Sequence, residues 1–279
     1  MTTPAPGARP PERRPPEREP RRAVVVGGSR GIGAAIALRF AAEGLDTAVA
    51  ARDPEQLDGL RDHARERGLR LTVHRVDVRS AESVDGLFAA LTGSGGVDVC
   101  VNAAGRNLSR RLVAPPRDGS LTWRTHGEQD WRDIVDLCLT GTFLVGRAAA
   151  AAMAAAGRGG VIVPIVSCTW RGSWGQSAYA AAKAGVVSLT RSWALELGEY
   201  GIRVVAIAPG VVDGAALREK CASVPAHAAF MDRLRAQVPL GRFADESEVA
   251  ETALYAVRNS YLTGTVLDVD GGGFPGRVR

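Results

Sequence analysis

From residue 23 onward, short runs of Val, Ile and Ala alternate with longer stretches in which apolar residues recur every three or four positions. The short runs predict strands at 23–26, 46–51, 71–76, 97–101, 161–166, 203–208 and 266–269. They are apolar at consecutive positions, so both faces are buried, as in a parallel sheet covered by helices on both sides. Helix-length segments separate the strands, and some announce their starts. Asp53-Pro54 sets a capping residue ahead of a proline at the first helical position, and Asp245 with Glu248 has the spacing of a capping box. A βα rhythm sustained over seven strands predicts right-handed crossovers and a doubly wound α/β sheet. No linker rich in Pro or Gly interrupts it, so residues 23–279 are expected to form one domain. Residues 106–127, with Pro115-Pro116 and many charges, and residues 214–243 break the rhythm. Both follow the C-terminal ends of strands, where open α/β sheets bind ligands, and both are candidate lids.

The 279 residues are 46% hydrophobic and 23% charged, which excludes a wholly disordered chain and leaves ample apolar surface for a core. The net charge of +5 is concentrated at one end. Residues 1–22 carry six Arg against three Glu and seven of the 15 prolines, with no aromatic residue. This predicts an extended, mobile, disordered arm with too few charges to imply nucleic acid. It lacks the apolar core of a secretory signal. No apolar run in the sequence approaches the roughly 18 residues that span a bilayer; the alanine run at 148–156 is bounded by Arg147 and Arg158. The four cysteines (100, 138, 168, 221) form no CxxC pair, and the four histidines lie at no ligand spacing beside them, so no metal site is expected. A soluble cytoplasmic protein without membrane contacts is the simplest expectation.

Chemistry enters directly after the first strand. Gly27-Gly28-Ser29-Arg30-Gly31-Ile32-Gly33 opens into the helix that begins near Ala34. Glycines at a strand-to-helix turn bring backbone close to a ligand and leave the helix N-terminus free to hold a diphosphate. The run Gly27 to Gly31 also matches a nucleophile elbow, with Ser29 as nucleophile, but that motif belongs after several strands rather than the first. Arg52 stands at the end of the second strand, where an acid would bind a ribose 2′-hydroxyl. Together with Arg30 it suits a 2′-phosphate, which favours NADP(H) over NAD(H). Farther on, Ser167 ends the fifth strand, and Tyr179 and Lys183 are four apart on one helix face. A lysine beside a tyrosine favours the phenolate, and a serine can bond the same substrate oxygen, a set suited to protonating a carbonyl as hydride arrives.

In this order the motifs resemble the short-chain dehydrogenase/reductase family, over residues 23–274. Gly27, Gly31 and Gly33 resemble its cofactor turn, although Val26 stands where threonine is usual. Asp77-Val78 resembles the pair that contacts adenine, and Asn102-Ala103-Ala104-Gly105 the turn after the fourth strand. Ser167, Tyr179 and Lys183 match its catalytic serine, tyrosine and lysine. Pro209-Gly210 resembles the turn beside the nicotinamide, and Asp270-Gly271-Gly272 the C-terminal signature. The resemblance implies a single Rossmann-fold domain and an NADPH-dependent ketoreductase in which Tyr179 donates the proton and Lys183 holds the ribose. Cofactor contacts would come from Gly27, Ser29, Arg30, Gly31, Ile32, Gly33, Arg52, Asp77, Val78, Asn102, Ala103, Ala104, Gly105, Tyr179, Lys183, Pro209, Gly210 and Val212. It also implies a homo-oligomer, expected to be a tetramer, built on the long helices around 131–156 and 179–200.

Two positions depart from the family pattern. Cys138 replaces the asparagine taken as a fourth catalytic residue, which binds a water linking the lysine to solvent; cysteine bonds weakly and is expected to be a small buried hydrophobe. Gly214 stands where a cofactor-contacting threonine often follows the Pro-Gly turn. Trp170 and Trp174, three and seven residues after Ser167, are candidate platforms for a flat substrate, giving a cyclic, aromatic or polyketide-type ketone of specialised metabolism. A 3-oxoacyl-carrier-protein reductase remains an alternative. So does a nucleotide-binding protein of this fold with a sensor or non-redox role.

Overall fold

The computed structural model describes residues 21–116 and 121–273. Seven strands form one fully parallel sheet: β1 (Arg22–Val26), β2 (Asp46–Ala51), β3 (Leu71–Arg75), β4 (Val99–Asn102), β5 (Gly160–Pro164), β6 (Ile202–Pro209) and β7 (Thr265–Val269). Their spatial order is β3-β2-β1-β4-β5-β6-β7. All seven predicted strands are present, with ends shifted by one or two residues. Side chains alternate between two cores, as the pleat requires. Ala23 and Val25 of β1 face one helical layer with Val99 and Val101 of β4, while Val24, Val26 and Cys100 face the other.

The first layer contains α1 (Gly31–Ala42), α2 (Pro54–Glu66) and α9 (Glu246–Arg258); the second contains α3 (Ala81–Gly93), α5 (Gly141–Ala156) and α6 (Ser177–Leu197). Both predicted caps form. The Asp53 side chain accepts from the backbone of Glu55 and Gln56, and Asp245 and Glu248 complete a reciprocal capping box on α9. The first predicted lid holds a short antiparallel pair, Val113–Ala114 with Arg124–Thr125, and leads into α4 (Glu128–Val135). The second contains α7 (Ala215–Ser223) and α8 (Pro225–Arg235).

Two expectations need amending. Most of the predicted arm at 1–22 lies outside the described residues, but Arg21 and Arg22 belong to the folded body. Arg22 begins β1, its backbone N–H donates to Asp98, and its guanidinium donates to the Gly95 carbonyl at 2.9 Å. The alanine run is part of a longer helix than the sequence indicates. Glu128–Ala156 runs without a break for 29 residues and is long and apolar enough, by length and composition, to cross a membrane. Half of its most apolar window is buried, and α5 packs on α3, β4 and β5, as the core helix of an α/β sheet does.

The C-terminal end of α9 depends on one side chain. Half-buried Arg203 donates to the carbonyls of Ala256, Val257 and Leu262 at 2.9–3.0 Å, and Arg21 donates to Val257 as well. Arg203→Met keeps the aliphatic stem but strands those acceptors. We expect a loss on the order of 1–3 kcal/mol in a denaturant titration; an unchanged midpoint would contradict this role.

Candidate active site

The strand order reverses between β1 and β4, whose last residues, Val26 and Asn102, are register partners. The turns that follow them therefore touch. A Cβ on Gly27, whose φ is +76°, would stand 2.4 Å from the Ala104 backbone nitrogen. One on Gly33 would stand 2.3 Å from the Gly27 carbonyl oxygen. Only glycine admits this packing. Asn102 is buried and braces the second turn, donating to Thr142 Oγ1 and accepting from the Ala104 N–H. Its side chain is thus committed to structure rather than turned to a ligand.

Beside these turns lies a cleft of about 1760 Å³, lined at one end by Gly27, Arg30, Gly31, Ile32, Gly33, Ala103 and Gly105. Helix α1 points its N-terminus into this end with no side-chain cap and no acid in its first turn. Helices α2, α3 and α9 are capped by Asp53, Ser80 and Asp245. An open N-terminus above a glycine turn suits an anion, and the cleft has room for the diphosphate of a nicotinamide dinucleotide. Gly210 and Val212 line the cleft too, whereas Pro209 is part of β6.

The residues expected to face the adenosine are held as follows. Ser29 Oγ donates to Gln56 Oε1 at 3.1 Å. Arg30 and Arg52 are both exposed. Asp77 accepts from Arg79 through Nη2 at 2.7 Å, Nε and the backbone N–H. The Arg79 side chain, with Arg52 adding its charge, holds the Asp77 carboxyl at about 2. Stability from this ion pair is present above the ordinary carboxylate range and is lost as pH falls toward 2. Val78 is buried and packs against Gly141, so its side chain is structural.

At the other end of the cleft lie Ser167 and Tyr179. Ser167 caps a short 3-10 turn (Cys168–Arg171), and its Oγ accepts from the Thr169 hydroxyl at 3.0 Å and the Thr169 N–H at 3.3 Å. The Ser167 hydroxyl also lies within hydrogen-bonding reach of the Tyr179 phenol. Thr169 was not singled out from sequence, although an S-x-T spacing at a strand end was the available signal. Lys183 is buried one helical turn behind Tyr179, and its Nζ donates to the Ile165 carbonyl at 2.7 Å and stands 5.6 Å from the Tyr179 ring centre.

This geometry reverses one electrostatic expectation. Burial raises the Tyr179 phenol above its ordinary pKa, while Ser167 works weakly in the opposite sense. Lys183 is itself lowered by burial, and its nearest partner is a carbonyl, so it does not acidify the tyrosine here. Tyr179 is accordingly a protonated donor at neutral pH.

Cys138 lies in a π-helical turn, Asp136–Thr140, between α4 and α5. Its side chain is fully buried, its thiol donates to the Arg106 carbonyl, and its own carbonyl accepts from Thr142 Oγ1 at 2.8 Å. The space beside Gly105 adjoins both Cys138 Sγ and Lys183 Nζ. The tryptophans separate. Trp174 lines the cleft with Arg111 stacked 4.3 Å from its ring. Trp170 instead packs on Val166, Val186 and Val187 under Arg171, which is bound to Asp268, so it is removed from the expected substrate wall.

The family model described as Enoyl-(Acyl carrier protein) reductase matches residues 26–273. The 3beta-hydroxysteroid dehydrogenase 1 of Eggerthella lenta is 39% identical over 256 residues, covering 89% of this chain and 92% of its own. A putative ketoacyl reductase of Streptomyces coelicolor is 37% identical over 261 residues, covering 90% and 95%. Among solved structures, a variant of the actinorhodin polyketide ketoreductase with NADPH is 35% identical, with a TM-score of 0.79 over 91% of this chain and 97% of that one. Agreement of this extent, in sequence and backbone alike, makes the protein an oxidoreductase of the short-chain dehydrogenase/reductase family, whose members act on hydroxyl and keto groups with nicotinamide cofactors.

Proposed function

We propose that the protein is an NADPH-dependent ketoreductase acting on a cyclic or polyketide-type ketone, with Ser167, Tyr179 and Lys183 as its catalytic residues. The observation that carries this reading is the Ser167 hydroxyl beside the Tyr179 phenol, in a cleft whose lining also includes the glycine turn at the open N-terminus of α1. The bound nicotinamide supplies the hydride. Tyr179 gives its phenolic proton to the ketone oxygen, and Ser167 donates a hydrogen bond to the same atom. Lys183 has further N–H groups besides the one on Ile165, and these are available to the ribose and to proton resupply. Arg30 and Arg52 would receive a 2′-phosphate; Arg30→Ala with Arg52→Ala should weaken NADPH binding by about tenfold or more and leave NADH little changed.

The Trp174 and Arg111 pair offers a flat, cationic wall for a ring system, and relatives with steroid and polyketide names favour the same class. NADPH and NADH titrations by fluorescence, followed by nicotinamide absorbance with ring ketones and 3-oxoacyl thioesters, test the assignment. Consumption of NADPH with ring ketones supports it. Binding without consumption by any ketone would overturn it in favour of a non-redox role. We also propose a tetramer: Trp131, Phe143 and Leu195 are exposed large apolar residues on α4, α5 and α6. A monomeric mass by light scattering would refute this.

A further inference from the structure

The N-termini of α1 and α9 meet at the cleft, and Glu246 is the first residue of α9. Its carboxyl group occupies a definite place. A Cβ built on Gly214 would stand 2.3 Å from Glu246 Oε1, so this oxygen fills the space that a side chain at 214 would need. The same oxygen is 3.7 Å from the corresponding point on Gly31, the first residue of α1. Glu246 lines the cleft with Gly31, Ile32 and Val212 and is partly buried. Among the described residues, no hydrogen bond or ion pair engages its carboxylate.

The charged neighbours are few. Asp245 caps α9 through the Ser247 N–H, and its charge adds to burial in raising the Glu246 pKa. Arg218 of α7 acts in the opposite sense, but its guanidinium donates to the Asp213 carbonyl at 2.6 Å and pairs with the Asp213 carboxylate at 3.8 Å. Arg30 precedes α1 on the cleft and is exposed. Farther along the two helices, Arg39 binds Glu251 and Arg258 binds Glu43.

We infer that Glu246 is a cofactor-site residue: its carboxyl group replaces the side chain missing at 214 and borders the diphosphate bridge, donating a hydrogen bond when protonated and opposing the bridge when ionised. This rests on the reading that the cleft holds a nicotinamide dinucleotide. A carboxyl whose pKa is already raised takes up a proton readily as an anion arrives, so binding consumes a proton. Affinity is greatest below the carboxyl pKa and falls as pH rises through it.

The experiment is calorimetric titration of wild-type protein, E246Q and E246A with NADH and NADPH. It runs upward from the ordinary glutamate range, about pH 4.5, to about pH 8.5, in two buffers of different ionisation enthalpy. NADH is the deciding ligand, because the 2′-phosphate of NADPH titrates near pH ~6 itself. The expected result is that wild-type affinity for NADH weakens by about three- to tenfold across the range, with proton uptake. E246Q should be flat and bind tighter than wild type at the alkaline end. Should E246Q fold poorly by its unliganded melting temperature, E246A reads the same contrast. Parallel pH curves for wild type and variant, or weaker alkaline binding by E246Q, would overturn the inference while leaving the cofactor reading intact. Failure of wild type to bind either nucleotide would overturn both.

Discussion

Tyr179→Phe is expected to lose turnover by about 10²- to 10⁴-fold, the usual contribution of a positioned general acid, while binding the dinucleotide as the parent does. The ring stays packed against Ile134, Cys138, Ala178 and Ala182, so the melting temperature should hardly move. The sign of the pH response is also fixed. A phenol raised by burial remains protonated through neutral pH, so ketone reduction should be nearly flat there. Alcohol oxidation needs the phenolate as base, and its rate should rise as pH increases toward the raised pKa. Full turnover in Tyr179→Phe, measured at saturating ketone, would remove the proton donor from the proposed mechanism.

The largest stability effect is expected at the contact between the two turns. In Gly27→Ala the new methyl would meet the backbone of Ala103 and Ala104 at 2.4–2.7 Å, with φ at +76°, and no side chain is available to move aside. Steric overlap and left-handed strain together should cost about 3–5 kcal/mol and abolish dinucleotide binding. Gly86 in α3 is the control, since nothing lies within 4 Å of a Cβ there. Gly86→Ala should stabilise the protein by about 0.4–1 kcal/mol through helix propensity and reduced unfolded-state freedom. Paired denaturant titrations read both, and equal midpoints for the two variants would contradict the close-approach account.

The strands were legible because β1, β4 and β6 are apolar at almost every position, and the capped helices because Asp53 and Asp245 carry their signals within four residues. Ser167, Tyr179 and Lys183 could be picked out by spacing along one strand end and one helix face. Contacts between distant segments were not legible. The sequence places Glu246 on a helix start, but only the packing of α9 on α1 brings its carboxyl to the glycine turn. Spacing made Lys183 a neighbour of Tyr179, yet nothing local predicts that the Ile165 carbonyl accepts its hydrogen bond. Trp170 and Trp174 read alike in sequence, but Trp170 belongs to the short 3-10 turn and packs inward, whereas Trp174 lies beyond that turn and lines the cleft.

The π-helical turn at Asp136–Thr140 adds a residue to a helix that otherwise continues from Glu128 to Ala156. One inserted residue rotates everything after it by about 100° around the helix axis. Upstream of the insertion, Ile134 meets Ala178 and Ala182 of α6 behind the tyrosine; downstream, Leu144, Val145, Ala148 and Ala149 lie on the sheet. Each half thus keeps its own partner because the count of residues between them is right. Removing any one residue from this turn would preserve every apolar side chain on either flank and still present one half to the wrong neighbour. The back wall of the site is therefore specified by spacing, and a length change there would be less tolerable than most substitutions.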